Sequence, residues 1–213
     1  MNAYGIGIET SCDETGIAVV KNGTDIIVNL LYSQIEIHSE FGGVIPEAAS
    51  RAHLEKITYL LKEAVKKIPG GIKKIDYIAV TTRPGLVGSL LVGFNTALAI
   101  SHYIKKPVIP INHLEAHIYS INLTKHNFNY PFLALLISGG NTAIYYIKGL
   151  GKIETIGATL DDACGEALDK AASLLKLPYP GGPHIEKHAK LFLQKNIDKK
   201  FQKISWIKKI RCL

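Results

Sequence analysis

Apolar and polar residues are arranged in short blocks along this chain. The first block, Tyr4-Gly-Ile-Gly-Ile-Glu9, reads as a buried strand. A polar turn over residues 10–14 leads into a returning strand at 15–20, and Lys21-Asn22-Gly23 turns the chain again before a third strand at about 26–34. Phe41-Gly42-Gly43 breaks the pattern. Apolar residues then recur at helical spacing, at Leu54, Ile57, Leu60, Leu61 and Val65, which predicts a helix over about 46–67. A β-branched strand is expected at 75–81, a Gly-rich helix opening at Pro84-Gly85 and running to about 103, a short strand at 107–111, and a further helix from His113.

The same order of elements then restarts. A strand at 132–137, a tight Ser138-Gly139-Gly140 turn, a returning strand at 142–147, a third strand at about 153–157 and a helix over about 161–175 repeat the opening of the chain. This predicts an α/β protein with two similar lobes and a cleft between them, the second lobe incomplete. After His188 the text becomes Lys-rich without a strand pattern.

Composition refines this picture modestly. A length of 213 residues suits one large domain or two small ones, and 47% hydrophobic residues support a core. No run of 18 uncharged apolar residues is evident and no secretory signal is visible, so no membrane span and a cytoplasmic protein are expected. Cys12, Cys164 and Cys212 are widely spaced and form no disulfide framework. The net charge of +7 comes from residues 187–213, which hold nine Lys/Arg and one acid, so the body is near neutral. Whole-chain basicity is therefore a weak argument for nucleic acid.

The most specific chemistry lies at His113-Leu-Glu-Ala-His117. Histidines four apart share a helix face and can grip one transition metal; two ordinary helix-surface histidines are the alternative. A zinc peptidase reads H-E-x-x-H, whereas here Glu115 sits about 200° round the helix from each histidine and suits a supporting role better than a base. Two strand-to-strand turns, Ser11 to Gly16 and Ser138 to Thr142, occupy equivalent places in the repeat. Their small and hydroxyl residues suit phosphate, and acids at the first can hold a metal-bound water or orient a nucleophile; both are also ordinary hairpin sequences. Thr82 to Ser89 follows a strand into a helix and reads as close packing with a ligand-facing tip. Asp161-Asp162 reads as a helix cap with an acidic first turn, and Pro180-Gly-Gly-Pro183 as a rigid turn ending the helical region.

Taken in order, Gly7-Ile-Glu-Thr-Ser-Cys-Asp-Glu-Thr15, Phe41-Gly-Gly-Val-Ile-Pro-Glu47, Pro84-Gly-Leu-Val-Gly88, the His113–His117 run, Leu136-Ile-Ser-Gly-Gly140, Asp161-Asp-Ala163, Gly165-Glu-Ala-Leu-Asp-Lys170 and Tyr179-Pro-Gly-Gly-Pro183 resemble the tRNA threonylcarbamoyladenosine synthase family, TsaD-type, once described as a glycoprotease. The resemblance implies the actin, sugar-kinase and Hsp70-ATPase fold with RNase H-like lobes. It divides the chain into an N-terminal lobe with the metal-binding helix at 1–125, the start of a second lobe at 126–188, and an off-pattern basic tail at 189–213. It implies transfer of a threonylcarbamoyl group from threonylcarbamoyl-adenylate to the N(6) amine of the adenosine next to the anticodon of tRNAs reading codons that begin with A, releasing AMP. By resemblance His113 and His117 hold one divalent metal ion, iron or zinc. Leu136, Ile137, Ser138, Gly139, Gly140, Asp169 and Gly182 lie on the nucleotide side, and Asp13 and Glu14 match acids needed for activity. Partners implied are tRNA, the adenylate, a paralogous non-catalytic subunit and an ATPase helper, with no membrane.

The departures are equally specific. Asn141 stands where the family usually has His, and Arg83 where it has Gly. The family continues past this ending, and the part beyond supplies a third metal ligand, an aspartate, and an asparagine on the nucleotide. The expectation is a truncated or frameshifted member with impaired activity. Rival readings are a non-catalytic scaffold subunit, a kinase or chaperone-like ATPase on the same fold, in which the histidine pair has no task, and a zinc protease, for which the order of the motif is wrong.

Overall fold

The computed structural model describes residues 3–124 and 129–195. The chain divides into two compact units, Met1–His126 and Asn127–Leu213.

In the first unit, β1 (Tyr4–Glu9), β2 (Glu14–Lys21) and β3 (Asp25–Ser33) form an antiparallel meander. β4 (Tyr77–Arg83) pairs parallel to β1, and β5 (Val108–Asn112) parallel to β4, giving the order β3-β2-β1-β4-β5. Alternate residues of a strand share a face, and Ile6, Ile8, Ile17, Val19, Val28, Ile78 and Val80 are all buried. They meet Ile57, Leu60 and Ala64 of α2 (Pro46–Lys66) and Ala97 and Ile100 of α3 (Val87–Ile104) in one hydrophobic cluster. Pro46 opens α2 because its fixed φ suits a first turn and its missing N–H is not needed there. Burial of each such aliphatic side chain stabilises by about 1.5–3 kcal/mol.

Two details differ from the sequence pattern. A short helix, α1 (Ile35–Ser39), follows β3 in a segment to which the sequence pattern assigned no element. The Gly-rich helix starts at Val87, three residues later than Pro84 suggests. Gly85 has φ +157°, and a Cβ there would lie 2.5 Å from the Ser11 carbonyl oxygen. The Leu86 N–H donates to that same oxygen at 2.8 Å, so the segment is tied to the β1–β2 turn before it can coil. α3 holds no Asp, Glu, Lys or Arg, has a mean hydropathy of 1.3, and is long and apolar enough to cross a membrane by length and composition. In this unit its Ser89, Gly93, Ala97 and Ile100 stripe is buried. α4 (His113–Tyr119) follows β5 at once, its start capped by Asn112 Oδ1, which accepts from the Leu114 and Glu115 N–H groups at 2.9 and 3.4 Å.

In the second unit, β6 (Phe132–Ile137), β7 (Thr142–Gly149) and β8 (Lys152–Ala158) form a second antiparallel meander in the order β6-β7-β8. A helix follows it, as in the first unit, so the repeated element order is present in space. α5 (Cys164–Leu174) begins after Asp161 and Asp162, which therefore do not cap it. Its first N–H groups are satisfied by the β6–β7 turn instead: Cys164 N–H donates to Thr142 Oγ1 at 2.8 Å and Gly165 N–H to the Ser138 carbonyl at 3.1 Å. Asp162 pairs with Lys170 at 2.7 Å. The turn expected to end the helical region begins another helix, α6 (Gly181–Lys195), with Pro183 in its first turn, where proline is tolerated. The Lys-rich change after His188 thus falls within α6. The remainder of that basic segment, with Trp206 and Cys212, lies outside the described residues.

Candidate functional site

The carboxyl ends of the parallel strands β1, β4 and β5 lie along one edge of the first sheet, the side where open α/β sheets bind ligands. β1 ends at Glu9, β4 at Arg83 and β5 at Asn112, with His113 opening α4. His113 and His117 are one helical turn apart, and their rings meet edge to face with centroids 4.5 Å apart. Their Nε2 atoms are 3.1 Å from each other. Two imidazole nitrogens at 2.0–2.1 Å from one tetrahedral ion would be about 3.3 Å apart, so the pair fits two ligands of one metal. Among the described residues no group of three His, Cys, Asp or Glu is placed to hold a metal ion.

What orients His113 is a carboxylate. Glu9 Oε2 lies 3.4 Å from His113 Nδ1, and Ser11 Oγ lies 3.0 Å from the same nitrogen. Glu9 also accepts the Ser11 backbone N–H at 2.6 Å and the Thr81 hydroxyl. Burial pushes the Glu9 carboxyl up, but hydrogen bonds from His113, Ser11 and Thr81 outweigh it and hold the group at about 2. An ionised carboxylate only accepts, so Nδ1 of His113 carries the proton and Nε2 keeps its lone pair toward His117. Carboxylate–histidine pairs of this kind commonly fix a metal ligand. Burial, then the neighbouring His113, lowers the pKa of His117 and favours its neutral form.

Asp13 stands in the β1–β2 turn and Glu14 begins β2. Burial first, then the charges of Asp13 and Glu9, pushes the Glu14 carboxyl above its ordinary value, the direction that suits a proton acceptor near neutrality. Beneath them lies a shelf of buried hydroxyls. Thr10 Oγ1 donates to the Ser89 carbonyl at 2.8 Å, and Thr15 Oγ1 lies 2.8 Å from His53 Nδ1. Every buried side-chain N or O among the described residues has a partner, so this polar shelf is fully satisfied and rigid. Gly88 and Gly93 serve packing here: a Cβ on Gly93 would lie 2.4 Å from Thr10 Oγ1, and one on Gly88 2.5 Å from Ser50 Oγ.

The other site residues belong to the second unit. Leu136 and Ile137 close β6, and the turn after them is locked by Ser138, whose N–H donates to the Asn141 carbonyl at 2.8 Å while its Oγ accepts the Asn141 N–H at 3.0 Å. Gly139 and Gly140 are exposed, with open space where a Cβ would project. Gly165 of α5 backs the turn so closely that a Cβ would lie 2.7 Å from the Gly139 Cα and from the Ser138 carbonyl oxygen. Asp169 Oδ1 accepts the Gly181 N–H at 2.6 Å, tying α5 to the start of α6 beside Gly182. The structure gathers Asp13, Glu14, His113 and His117 in the first unit, and the Ser138 turn, Asp169 and Gly182 in the second. Glu115 is exposed on α4, and the carboxylate that touches His113 comes from β1 instead. The pattern alone missed Glu9, Ser11, Thr81 and His53 as supports; the one available signal was an acid ending an otherwise apolar strand.

Comparison with known proteins places the chain in a family. The family profile TsaD, tRNA N6-adenosine threonylcarbamoyltransferase, matches residues 25–208. A tRNA N6-adenosine threonylcarbamoyltransferase of Leptospira interrogans is 51% identical over 186 residues, covering 87% of this chain and 55% of that protein. One from Bacillus thuringiensis is 53% identical over 188 residues, covering 88% and 54%. Among solved structures, the ethanolamine utilization protein EutJ from Carboxydothermus hydrogenoformans is similar with a TM-score of 0.49 at 15% identity, over 92% of this chain and 72% of that one. The chain spans about half the length of the curated relatives it matches. By the extent of the matched profile, the chain belongs to the tRNA N6-adenosine threonylcarbamoyltransferase family.

Proposed function

We propose that this chain carries the acyl-handling half of a threonylcarbamoyl transferase. The reaction is transfer of the threonylcarbamoyl group from threonylcarbamoyl-adenylate to the N(6) amine of the adenosine beside the anticodon, in cytoplasmic tRNAs that read codons starting with A. The amine nitrogen bonds to the carbamoyl carbon. The bond from that carbon to the phosphate oxygen breaks, AMP leaves with the electron pair, and the amine proton passes to a carboxylate. The observation that carries this reading is the convergence of His113 and His117 Nε2 at 3.1 Å with Glu9 behind, in a chain of this family.

His113 and His117 would hold one iron or zinc ion, which when bound supplies Lewis-acid polarisation of the acyl oxygen and a template for orienting it. Glu9 keeps the His113 proton on Nδ1, so the ring presents a lone pair. Glu14, whose pKa is raised by burial and then by the charges of Asp13 and Glu9, or Asp13 beside it, would take the amine proton. On the nucleotide side, the open backbone of Gly139 and Gly140 and the Ser138 turn suit phosphate oxygens. Leu136 and Ile137 lead into that turn, and Asp169 and Gly182 serve the nucleoside. A paralogous subunit and an ATPase helper would complete the assembly.

A second reading has its own observation. Among the described residues two imidazoles converge while no group of three His, Cys, Asp or Glu is placed to hold a metal, an arrangement that also suits a non-catalytic scaffold subunit of the same complex. One experiment separates them. The chain is incubated with threonylcarbamoyl-adenylate, unmodified tRNA and iron or zinc, and the digested nucleosides are read by mass spectrometry. Modified adenosine that vanishes in His113→Ala supports the transferase. No product, with tight binding to a paralogous subunit, supports the scaffold.

A further inference from the structure

The β1–β2 turn that carries Asp13 and Glu14 is fastened from α2. His53 is fully buried, with one ring nitrogen on each side of Asp13. Its Nε2 lies 3.0 Å from the Cys12 carbonyl oxygen, and its Nδ1 lies 2.8 Å from Thr15 Oγ1. A carbonyl only accepts, so Nε2 bears the proton, Nδ1 accepts from the Thr15 hydroxyl, and both ring nitrogens are used. Between these two attachments the Asp13 carbonyl accepts the Gln34 N–H at 3.0 Å. Gln34 is itself fully buried, and its side chain is braced by His38 Nε2 at 3.1 Å and the Ala49 carbonyl at 3.4 Å. Cys12, Asp13 and Thr15, which flank Glu14, are thus each fixed by a contact to the fully buried His53 or Gln34.

We propose that His53 is a positioning residue for the acid-bearing turn, acting through the Cys12 carbonyl and the Thr15 hydroxyl rather than on any substrate. A buried histidine at a helix position that faces a sheet would ordinarily be replaced at little cost by an aliphatic residue. Here an aliphatic residue would leave a part-buried carbonyl and a buried hydroxyl without their His53 partner, and the turn would open to recover water. Sites of this kind hold their reacting groups only as well as the layer behind them is locked. The functional meaning of the positioning rests on the assignment of Asp13 and Glu14 as acting acids; the geometry does not.

Cys12 is a built-in reporter of the turn. It is exposed, yet burial, then the charge of Asp13 and a hydrogen bond to it, pushes its thiol up to about 12, so it reacts slowly while the turn is closed. The test alkylates the native 213-residue chain and follows Cys12 and Cys164 separately by peptide mass spectrometry. His53→Leu should speed Cys12 by about tenfold and leave Cys164 unchanged. His53→Gln, whose amide reaches the Cys12 carbonyl, should restore most of the protection. Nitrogen-15 shifts of the unsubstituted protein should show His53 as the neutral Nε2–H tautomer, a readout that survives if a variant fails to fold. A folded His53→Leu protein with unchanged Cys12 labelling, or an Nδ1–H tautomer, overturns the proposal. Protection lost as expected while Asp13→Ala and Glu14→Gln leave tRNA modification intact would keep the positioning and discard the catalytic assignment.

Discussion

The Nε2 atoms of His113 and His117 face each other across 3.1 Å, and the inner ring is anchored by Glu9 and Ser11 at its other nitrogen. One ring is preset and its partner, on the exposed side of α4, closes on it. The chain should therefore retain one iron or zinc ion in equilibrium dialysis against that metal at neutral pH, measurable by elemental mass spectrometry. His113→Ala and His117→Ala should each abolish retention. His117→Ala should do so with a stability change within about 0.5 kcal/mol, because an exposed substitution removes little packing. Full retention in either variant would mean the ion sits elsewhere.

Glu9→Gln tests the anchor. The amide keeps the shape but not the charge, and metal affinity should fall about 10–100-fold, the usual cost of losing an outer partner of a ligating histidine. The same carboxyl also sets an acid limit. Its folded value of about 2 lies below the ordinary 4.5, so its contribution to stability is fully present above about pH 4.5 and is lost as pH falls toward 2. Urea midpoints across that range should drop in the unsubstituted protein and drop less in Glu9→Gln.

His53 works in a higher pH window. Burial lowers its pKa from 6.5, against opposing contributions from the Cys12 carbonyl, Glu9 and Asp13, so the folded protein keeps it neutral where the unfolded chain begins to protonate. Stability is complete above about 6.5 and declines as pH falls below it. His117 titrates in the same direction but is exposed, and its contribution is correspondingly small. The difference in urea midpoint between pH 8 and pH 5.5 should shrink in His53→Gln. An equal pH response in both proteins would show that His53 is already charged in the fold.

Much of this arrangement could be read from the chain itself. Short apolar runs placed β1 and β6 at their observed ends, and helical spacing placed α2, although β6, read as a buried strand, leaves Leu133, Leu135 and Ile137 exposed. The spacing of His113 and His117 also sufficed, since both lie on one element. What was not legible depends on contacts far apart in sequence. Glu9 meets His113 from 104 residues away, and Gly165 N–H reaches Ser138 across the turn, so neither acid cap nor helix start could be judged locally. Asp161 and Asp162 resembled a cap, but the turn had already supplied α5 with acceptors. Pro183 resembled a terminator because proline ends helices far more visibly than it begins them.

The contact of Gly165 with Gly139 gives the last prediction. Gly165 lies in the first turn of α5, where alanine is intrinsically the better helix former. Propensity alone would make Gly165→Ala stabilising. Against that, the new Cβ would lie 2.7 Å from the Gly139 Cα and the Ser138 carbonyl oxygen, which are backbone atoms and cannot swing aside. Overpacking of this kind costs about 1–3 kcal/mol and exceeds the gain of under about 1 kcal/mol from helix propensity. The turn must move outward, and the 3.1 Å bond from Gly165 N–H to Ser138 must lengthen with it. Gly140→Ala is the matched control, because its Cβ would project into open space and the backbone there is not left-handed. Gly165→Ala should lower the thermal midpoint and speed hydrogen exchange at the amides of Ser138 and Gly165, while Gly140→Ala should leave both close to the unsubstituted values. A Gly165→Ala protein as stable as the parent, with Ser138 still protected, would mean that α5 does not brace this turn.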